Sequence, residues 1–177
     1  METANPIFPP QISADLIALD KNGRVILVAD IRGSRVIKRT LPRFTSYLKA
    51  THTIVPFAML VDPDTIHIVQ WDGVNWSNAI SSLKTIEVVK PYIRDFDEYM
   101  RDYENKWITG GYLGALLQSW LDDLAFHWKY TTPPATEELA AIGLLERIKD
   151  GSTKTEVEIA GDTILRDEFS DRYWYRA

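Results

Sequence analysis

The stretch from Ala14 to Gly33, ADLIALDKNGRVILVADIRG, decides the fold. Two runs rich in Leu, Ile and Val flank Asn22-Gly23, a pair that favours the positive φ angles of a tight hairpin turn. If the chain closes there, paired positions sum to about 45, and Asp15 lies opposite Asp30 with Cβ atoms roughly 4.5 to 5.5 Å apart. Since strand side chains alternate between faces, Arg32 shares the face of Asp30. The sequence therefore predicts two carboxylates and a guanidinium at one end of a hairpin.

Beyond this hairpin, helical and strand patterns alternate. LPRFTSYLKA at 41–50 predicts a helix with Pro42 in its first turn, where a missing N–H costs least. Further strands are predicted at 53–62, 65–71 and 85–92. This order is typical of an α/β fold with a mixed β-sheet flanked by helices.

The C-terminal half is predicted to be mainly helical. Leu and Trp residues between 113 and 124 recur at helical spacing, which indicates an amphipathic helix that faces the core or a dimer partner. A second helix is expected to begin at a Thr136 cap and to end at Gly151. The alternating segment 154–169 predicts a small terminal hairpin that turns at 160–162.

Length and composition favour one globular domain, residues 1–177, with an α/β core at 12–95 and a C-terminal helical extension at 96–177. The net charge of -5 argues against a broad basic surface that holds nucleic acid. The chain has no cysteine, which excludes disulfides and thiolate metal sites. The start, METANPIFPP, lacks the features of a signal peptide, and no apolar run suits a membrane span. We expect a cytoplasmic protein.

The hairpin, the helix after it and the segment PFAMLVDPDTIHIVQW together resemble the PD-(D/E)XK nuclease superfamily. Within it, they are most similar to the nuclease-like N-terminal domain of type I restriction enzyme R subunits and its free-standing bacterial and cyanobacterial relatives. In that pattern Pro-Asp opens one strand, acidic-x-Lys closes the next, and Gln-x-x-x-Tyr often follows on the helix. The resemblance covers residues 12–92 and implies a restriction-endonuclease-like core.

Carried over position by position, the resemblance implies a metal site and a DNA-binding role. Asp15 and Asp30 match the two acids that hold Mg²⁺, although Ala14 stands where proline is usual. Arg43 stands where the glutamine would be and Tyr47 keeps the tyrosine, so both are expected to contact nucleic acid. Arg32 falls at the position of the catalytic lysine.

Arginine is a poor replacement for that lysine. A guanidinium stays protonated at any working pH and cannot act as a base, and its planar fork favours pairing with carboxylates. We therefore expect Arg32 to lie between Asp15 and Asp30 as an ion-pair cluster in place of the metal. An active enzyme would need another lysine, Lys38 or Lys49, to enter the site.

Simpler interpretations remain. Asp15, Asp30 and Arg32 can be surface charges at strand ends, and the three histidines lack metal-ligand spacing and are expected to be structural. Three functions stay open. The chain is a nuclease-like accessory or DNA-binding module with a degenerate site, or an active Mg²⁺-dependent DNA endonuclease. The third function is a homo-oligomeric interaction protein, expected as a homodimer, that associates through the helix at 112–128 and the aromatic tail DRYWYR without nucleic acid.

Overall fold

The computed structural model describes residues 10–33, 40–101 and 110–167. Its strands form one seven-stranded sheet in the order β5-β4-β3-β2-β1-β6-β7. The strands are β1 Ile12–Leu19, β2 Val25–Ile31, β3 Phe57–Val61, β4 Thr65–Gln70, β5 Ser81–Lys84, β6 Ser152–Ala160 and β7 Thr163–Asp167. The helices are α1 Leu41–Ala50, α2 Thr85–Val89, α3 Phe96–Arg101, α4 Gly110–Phe126, α5 Thr136–Ala141 and α6 Leu144–Ile148.

The sheet is mixed. β2 and β3 are parallel neighbours joined by a crossover that contains α1, whereas the other neighbouring strands are antiparallel. Helices flank the sheet, so the predicted α/β class is confirmed.

The β1–β2 hairpin has the predicted register from Leu16 to Ala18. Leu16 pairs with Ala29 and Ala18 with Leu27, while the pairing shifts by one residue at Leu19, next to the turn. Gly23 in that turn has a φ of 79°, a conformation that glycine adopts without steric cost. The turn residues therefore fix which side chains meet at the far end of the hairpin.

The sheet has a hydrophobic core on each face. On one face, α4 packs with Leu113, Leu117 and Trp120, which are all fully buried. On the other face, Phe44 and Leu48 of α1 pack on the sheet. The predicted stripe of α4 thus lies inside the protein's own core, whereas Tyr112, Phe126 and Trp128 of the segment 112–128 are exposed.

The sequence prediction was wrong for residues 85–92, expected as a strand. The structure has α2 and a short 3-10 helix at Lys90–Tyr92, while the strand at this point is the preceding β5. Val88 and Val89 are adjacent and both buried, which suits a helix packed on the core better than the alternating faces of an edge strand. Tertiary packing has overridden the β propensity of this Val- and Ile-rich segment.

The segment after α4 differs in detail from the prediction. Two short helices replace the expected single one, because Gly143 lies between them with a φ of 80°. Thr136 is the first residue of α5 rather than its cap, and its hydroxyl donates to the Pro133 carbonyl at 2.6 Å.

The terminal hairpin forms as predicted but belongs to the main sheet. β6 lies beside β1, and Gly161 turns the chain into β7 with a φ of 62°. Gly151, just before β6, allows this approach, since a Cβ there would meet the Leu19 carbonyl oxygen at 1.9 Å. The aromatic tail DRYWYR lies outside the described residues. Within the described ranges, no helix has the length and apolar character needed to span a membrane.

Candidate functional site

Asp15 and Asp30 meet where the ladder between β1 and β2 ends. The last regular pair is Leu16 with Ala29, and Asp15 and Asp30 are the next residues on the two strands, close enough for the charge of Asp30 to raise the pKa of Asp15. Asp15 Oδ2 accepts the backbone N–H of Ile31 at 2.8 Å. The carboxylate thus takes the place of a backbone carbonyl at the point where the two strands separate.

Arg32 forms an ion pair with Asp30 on the same face of β2, as the strand period predicts. Its Nη2 donates to Asp30 Oδ2 at 3.1 Å, and its Nε lies 2.8 Å from Oδ1. The Nε–H is buried but is not aimed at Oδ1, so this second contact is electrostatic rather than a hydrogen bond. The guanidinium therefore covers both oxygens of Asp30.

The guanidinium does not bridge the two carboxylates. Among the described residues, Asp30 is the carboxylate that pairs with Arg32 within 4 Å. The Ile31 amide holds the Asp15 carboxylate instead. Arg32 and Asp30 thus form an ion pair with the Asp15 carboxylate beside it, instead of the expected cluster in which Arg32 lies between the two acids.

A kink in β1 accounts for the position of Asp15. Ala14 and Ile17 both pack in the core on the α1 side, although strict alternation would place them on opposite faces. Glu156, at the register position of β6 opposite Asp15, has a left-handed φ of 53°. Both strands therefore change face at this pair, while the register between them stays constant.

The electrostatics of Asp15 differ from those of a solvated surface acid. Desolvation of its carboxyl group raises its pKa above the ordinary value, and the hydrogen bond from Ile31 opposes this increase. The negative charge of Asp30 raises the pKa further, whereas the positive charge of Arg32 lowers it. The residue is exposed overall, but its carboxyl group is turned towards the backbone of β2.

These groups open into a cleft of about 190 Å³ between the strand ends and α1. Tyr47, which is 37% exposed, contributes to its wall together with Phe44. Arg43 is exposed one helical turn earlier and does not line the cleft. The structure thus brings Tyr47 to the candidate site but does not bring Arg43 there.

Lys38 and Lys49 were the two lysines expected to replace the catalytic lysine of the family pattern in an active enzyme. Lys38 lies outside the described residues. Lys49 donates to Asn75 Oδ1 at 2.6 Å, and this bond ties α1 to the loop between β4 and β5 rather than to the cleft. In the described part of the chain, no cluster of three or more His, Cys, Asp or Glu residues is arranged to hold a metal ion.

A second cleft, of about 380 Å³, lies on the α4 side of the same strand ends. It shares Asp15 and Ile31 with the first cleft, and Gly111 and Gln118 of α4 together with Glu156 form part of its wall. Asp15 therefore faces space on both sides of the sheet.

The sequence analysis missed His67 and Ser82, which lie on the same face of the sheet as Asp30. Asp30 pairs with Leu60, Leu60 with His67, and His67 with Ser82, so the four residues form one row across β2 to β5. His67 Nδ1 lies 2.9 Å from Ser82 Oγ. The alternation in TIHIVQ indicates that His67 lies on the other face of the strand from the buried isoleucines Ile66 and Ile68. Only the strand order brings His67 into the same row as Asp30.

Comparison with protein-family models, with curated proteins and with solved structures finds no match to this chain. Functional inference therefore depends on the geometry of the site.

Proposed function

We propose that this protein is a nuclease-like, nucleic-acid-binding module whose metal site is closed by arginine. The observation that carries the proposal is the pairing of Arg32 with both oxygens of Asp30, beside Asp15. A divalent cation such as Mg²⁺ requires oxygen ligands, usually one or two carboxylates with water and phosphate. The guanidinium occupies the position that the cation would need on Asp30.

The arrangement of the strands supports the proposal. The resemblance implies a hairpin that carries the two acids, followed by a helix and further strands of a mixed sheet. β1, β2, α1 and β3 occur in that order, with β3 parallel to β2.

The chemistry of Arg32 supports a binding role over hydrolysis. Hydrolysis by such a site needs a metal-activated water and a group that positions or deprotonates it. Arg32 cannot accept a proton, and Lys49 is engaged with Asn75. The Arg32 side chain is 42% exposed, and a partly exposed arginine is suited to contact a phosphodiester.

The test combines DNA binding with DNA cleavage. We expect the wild-type chain to bind a labelled duplex with an affinity that falls as salt rises, and to leave plasmid DNA intact in Mg²⁺ or Mn²⁺. Metal-dependent cleavage that is lost in Asp30→Ala would instead establish the active endonuclease. Absence of DNA binding even at low salt would overturn the binding role.

A further inference from the structure

We infer a second phosphate contact on this protein, formed by four side chains on the α1-side face of β4 and β5. This donor patch consists of Thr65, His67, Ser82 and Lys84. The inference rests on the proposed nucleic-acid-binding function, and it names a surface that the family resemblance does not assign.

The strand register brings the donor patch together. Thr65 pairs with Lys84 and His67 pairs with Ser82. Directly opposed residues of antiparallel strands have Cβ atoms roughly 4.5 to 5.5 Å apart on the same face. Ile66 and Leu83, which lie between them in sequence, point to the other face and pack with the α4-side core. The four polar side chains therefore occupy one small area.

The hydrogen bond between His67 and Ser82 leaves a donor for a ligand in either neutral tautomer. If the Ser82 hydroxyl donates to Nδ1, the ring proton is on Nε2 and can be donated outward. If Nδ1–H donates to Ser82 Oγ, the hydroxyl proton is available instead. In both cases the pair presents a donor, as a phosphate oxygen requires.

Lys84 is available because its present ion pair is weak. Its ammonium lies 3.6 Å from Glu87, and the side chains are 76% and 70% exposed. Such exposed pairs contribute little to stability, so a phosphate can replace Glu87 at low cost. Thr65 adds a hydroxyl beside Lys84.

Asp62, an acid in the turn that precedes Thr65, is already engaged. Asp62 Oδ1 accepts the backbone N–H groups of Asp64 and Thr65 at 2.8 and 2.9 Å. The carboxylate is thereby held in the turn between β3 and β4. It moderates the positive charge of the donor patch but is directed at backbone amides.

The donor patch lies near the cleft that Arg32 and Asp30 line, which favours a nucleic-acid backbone as the ligand of the patch. β2 and β4 are separated by β3 alone, which corresponds to roughly 10 Å across the sheet. A nucleic-acid strand presents one phosphate per ~3.4 Å of its axis, so a strand that passes over the buried Leu60 between the two sites would span the distance from Arg32 to the donor patch. A local contact of this kind is also compatible with a net charge of -5.

The test measures the affinity for a fluorescein-labelled DNA duplex by anisotropy between about 50 and 200 mM NaCl, a range over which phosphate contacts change the affinity strongly. Lys84→Ala should weaken binding about fivefold and reduce the slope of log Kd against log salt by about 0.9. The double variant His67→Ala/Ser82→Ala should also weaken binding, by about threefold to tenfold, at every duplex sequence.

Lys21→Ala is the matched control, because Lys21 is an exposed lysine in the β1–β2 turn, at the opposite end of that hairpin from Asp15 and Asp30. It should change neither the affinity nor the slope. If the wild type binds DNA and the donor-patch variants bind with the same affinity and slope, the second contact is wrong and the proposed function survives. If the wild type does not bind, both are wrong.

Discussion

Asp123 and Asp30 are both shielded acids, yet their surroundings give them different roles. Asp123 is fully buried and accepts the Tyr92 hydroxyl at 2.6 Å and the backbone N–H groups of Lys129 and Tyr130 at 2.8 and 3.2 Å. Asp30 has a side chain that is 13% exposed, pairs with a partly exposed guanidinium and lines a cleft. A carboxylate surrounded by fixed donors holds a loop in place, whereas one paired with an arginine at a cleft can exchange that partner for a ligand.

The environment of Asp123 shows how strongly the loop after α4 is fixed. Burial and the bond to Asp123 raise the pKa of Tyr92 well above its usual range, so the phenol remains a donor. Lys129 Nζ donates to the Pro91 carbonyl at 2.5 Å and lies 5.6 Å from the centre of the Tyr92 ring. The loop is thus attached to the segment that follows α2.

The largest expected effect is that of Asp123→Ala. Removal of this acceptor leaves the Tyr92 hydroxyl and two amides without their partner, which should lower the free energy of unfolding by about 3 kcal/mol or more. For a chain of this length, that corresponds to a decrease in Tm of roughly 6 to 12 °C, measurable by calorimetry.

Asp122→Ala is the control for this change. Asp122 is the adjacent residue and accepts a hydrogen bond from Thr153 at 2.7 Å, and burial raises its pKa. Its loss should cost about 1 kcal/mol. An equal decrease in the free energy of unfolding for the two variants would contradict the special role assigned to the buried Asp123 carboxylate.

A smaller loss is expected for Asp30→Ala. The variant leaves Arg32 without this carboxylate, but the guanidinium is exposed enough to recover hydration, so we expect a loss of about 1 to 2 kcal/mol in urea unfolding. Glu87→Ala removes the exposed pair with Lys84 and should have an effect near zero. If Asp30→Ala costs no more than Glu87→Ala, the Arg32 pair is an ordinary surface contact.

The smallest effect, and one of opposite sign, is expected for Asp15→Asn. Because the pKa of Asp15 is raised on folding, the folded state binds its proton more tightly than the unfolded state, and the stability due to this group declines as pH rises above 3.8 through the folded pKa. Asparagine keeps an acceptor for the Ile31 amide and carries no charge. It should therefore stabilise the protein at pH 7 by less than about 1 kcal/mol, given the exposure of the residue.

Urea unfolding of wild type and Asp15→Asn at pH 7 and pH 4 checks this sign. The gain should diminish at pH 4, where the wild-type carboxyl group is increasingly protonated. A gain that is the same at both pH values would show that charge burial is not its cause.

Local sequence signals predicted the candidate site because its parts are close in sequence. The Asn22-Gly23 turn predicts the register that β1 and β2 keep from Leu16 to Ala18, and Asp15 and Asp30 follow directly after that ladder. The strand period then aligns Arg32 with Asp30. The kink at Asp15 and the hydrogen bond from Ile31 depend on β6, which pairs with β1 although it lies near the other end of the chain. No local sequence pattern indicates that β6 lies beside β1.

Other parts required long-range packing that the sequence does not display. Tyr92 and Asp123 are 31 positions apart and meet only because α4 packs beside α2 and the 3-10 helix. His67 joins the row of Asp30 through the order of β2, β3 and β4. The helix at Thr85–Val89 arises where packing outweighs a β-branched composition.

The most direct test of the account is calorimetric titration of Mn²⁺ into the wild type and into Arg32→Lys, with Arg24→Lys as the control. Arg24 pairs with Asp20 at 3.1 Å on the same hairpin but at its other end. We expect no stoichiometric binding by the wild type or the control, and binding by Arg32→Lys, because a compact ammonium no longer covers both oxygens of Asp30. Stoichiometric Mn²⁺ binding by the wild type that is lost in Asp30→Ala would contradict a site closed by arginine.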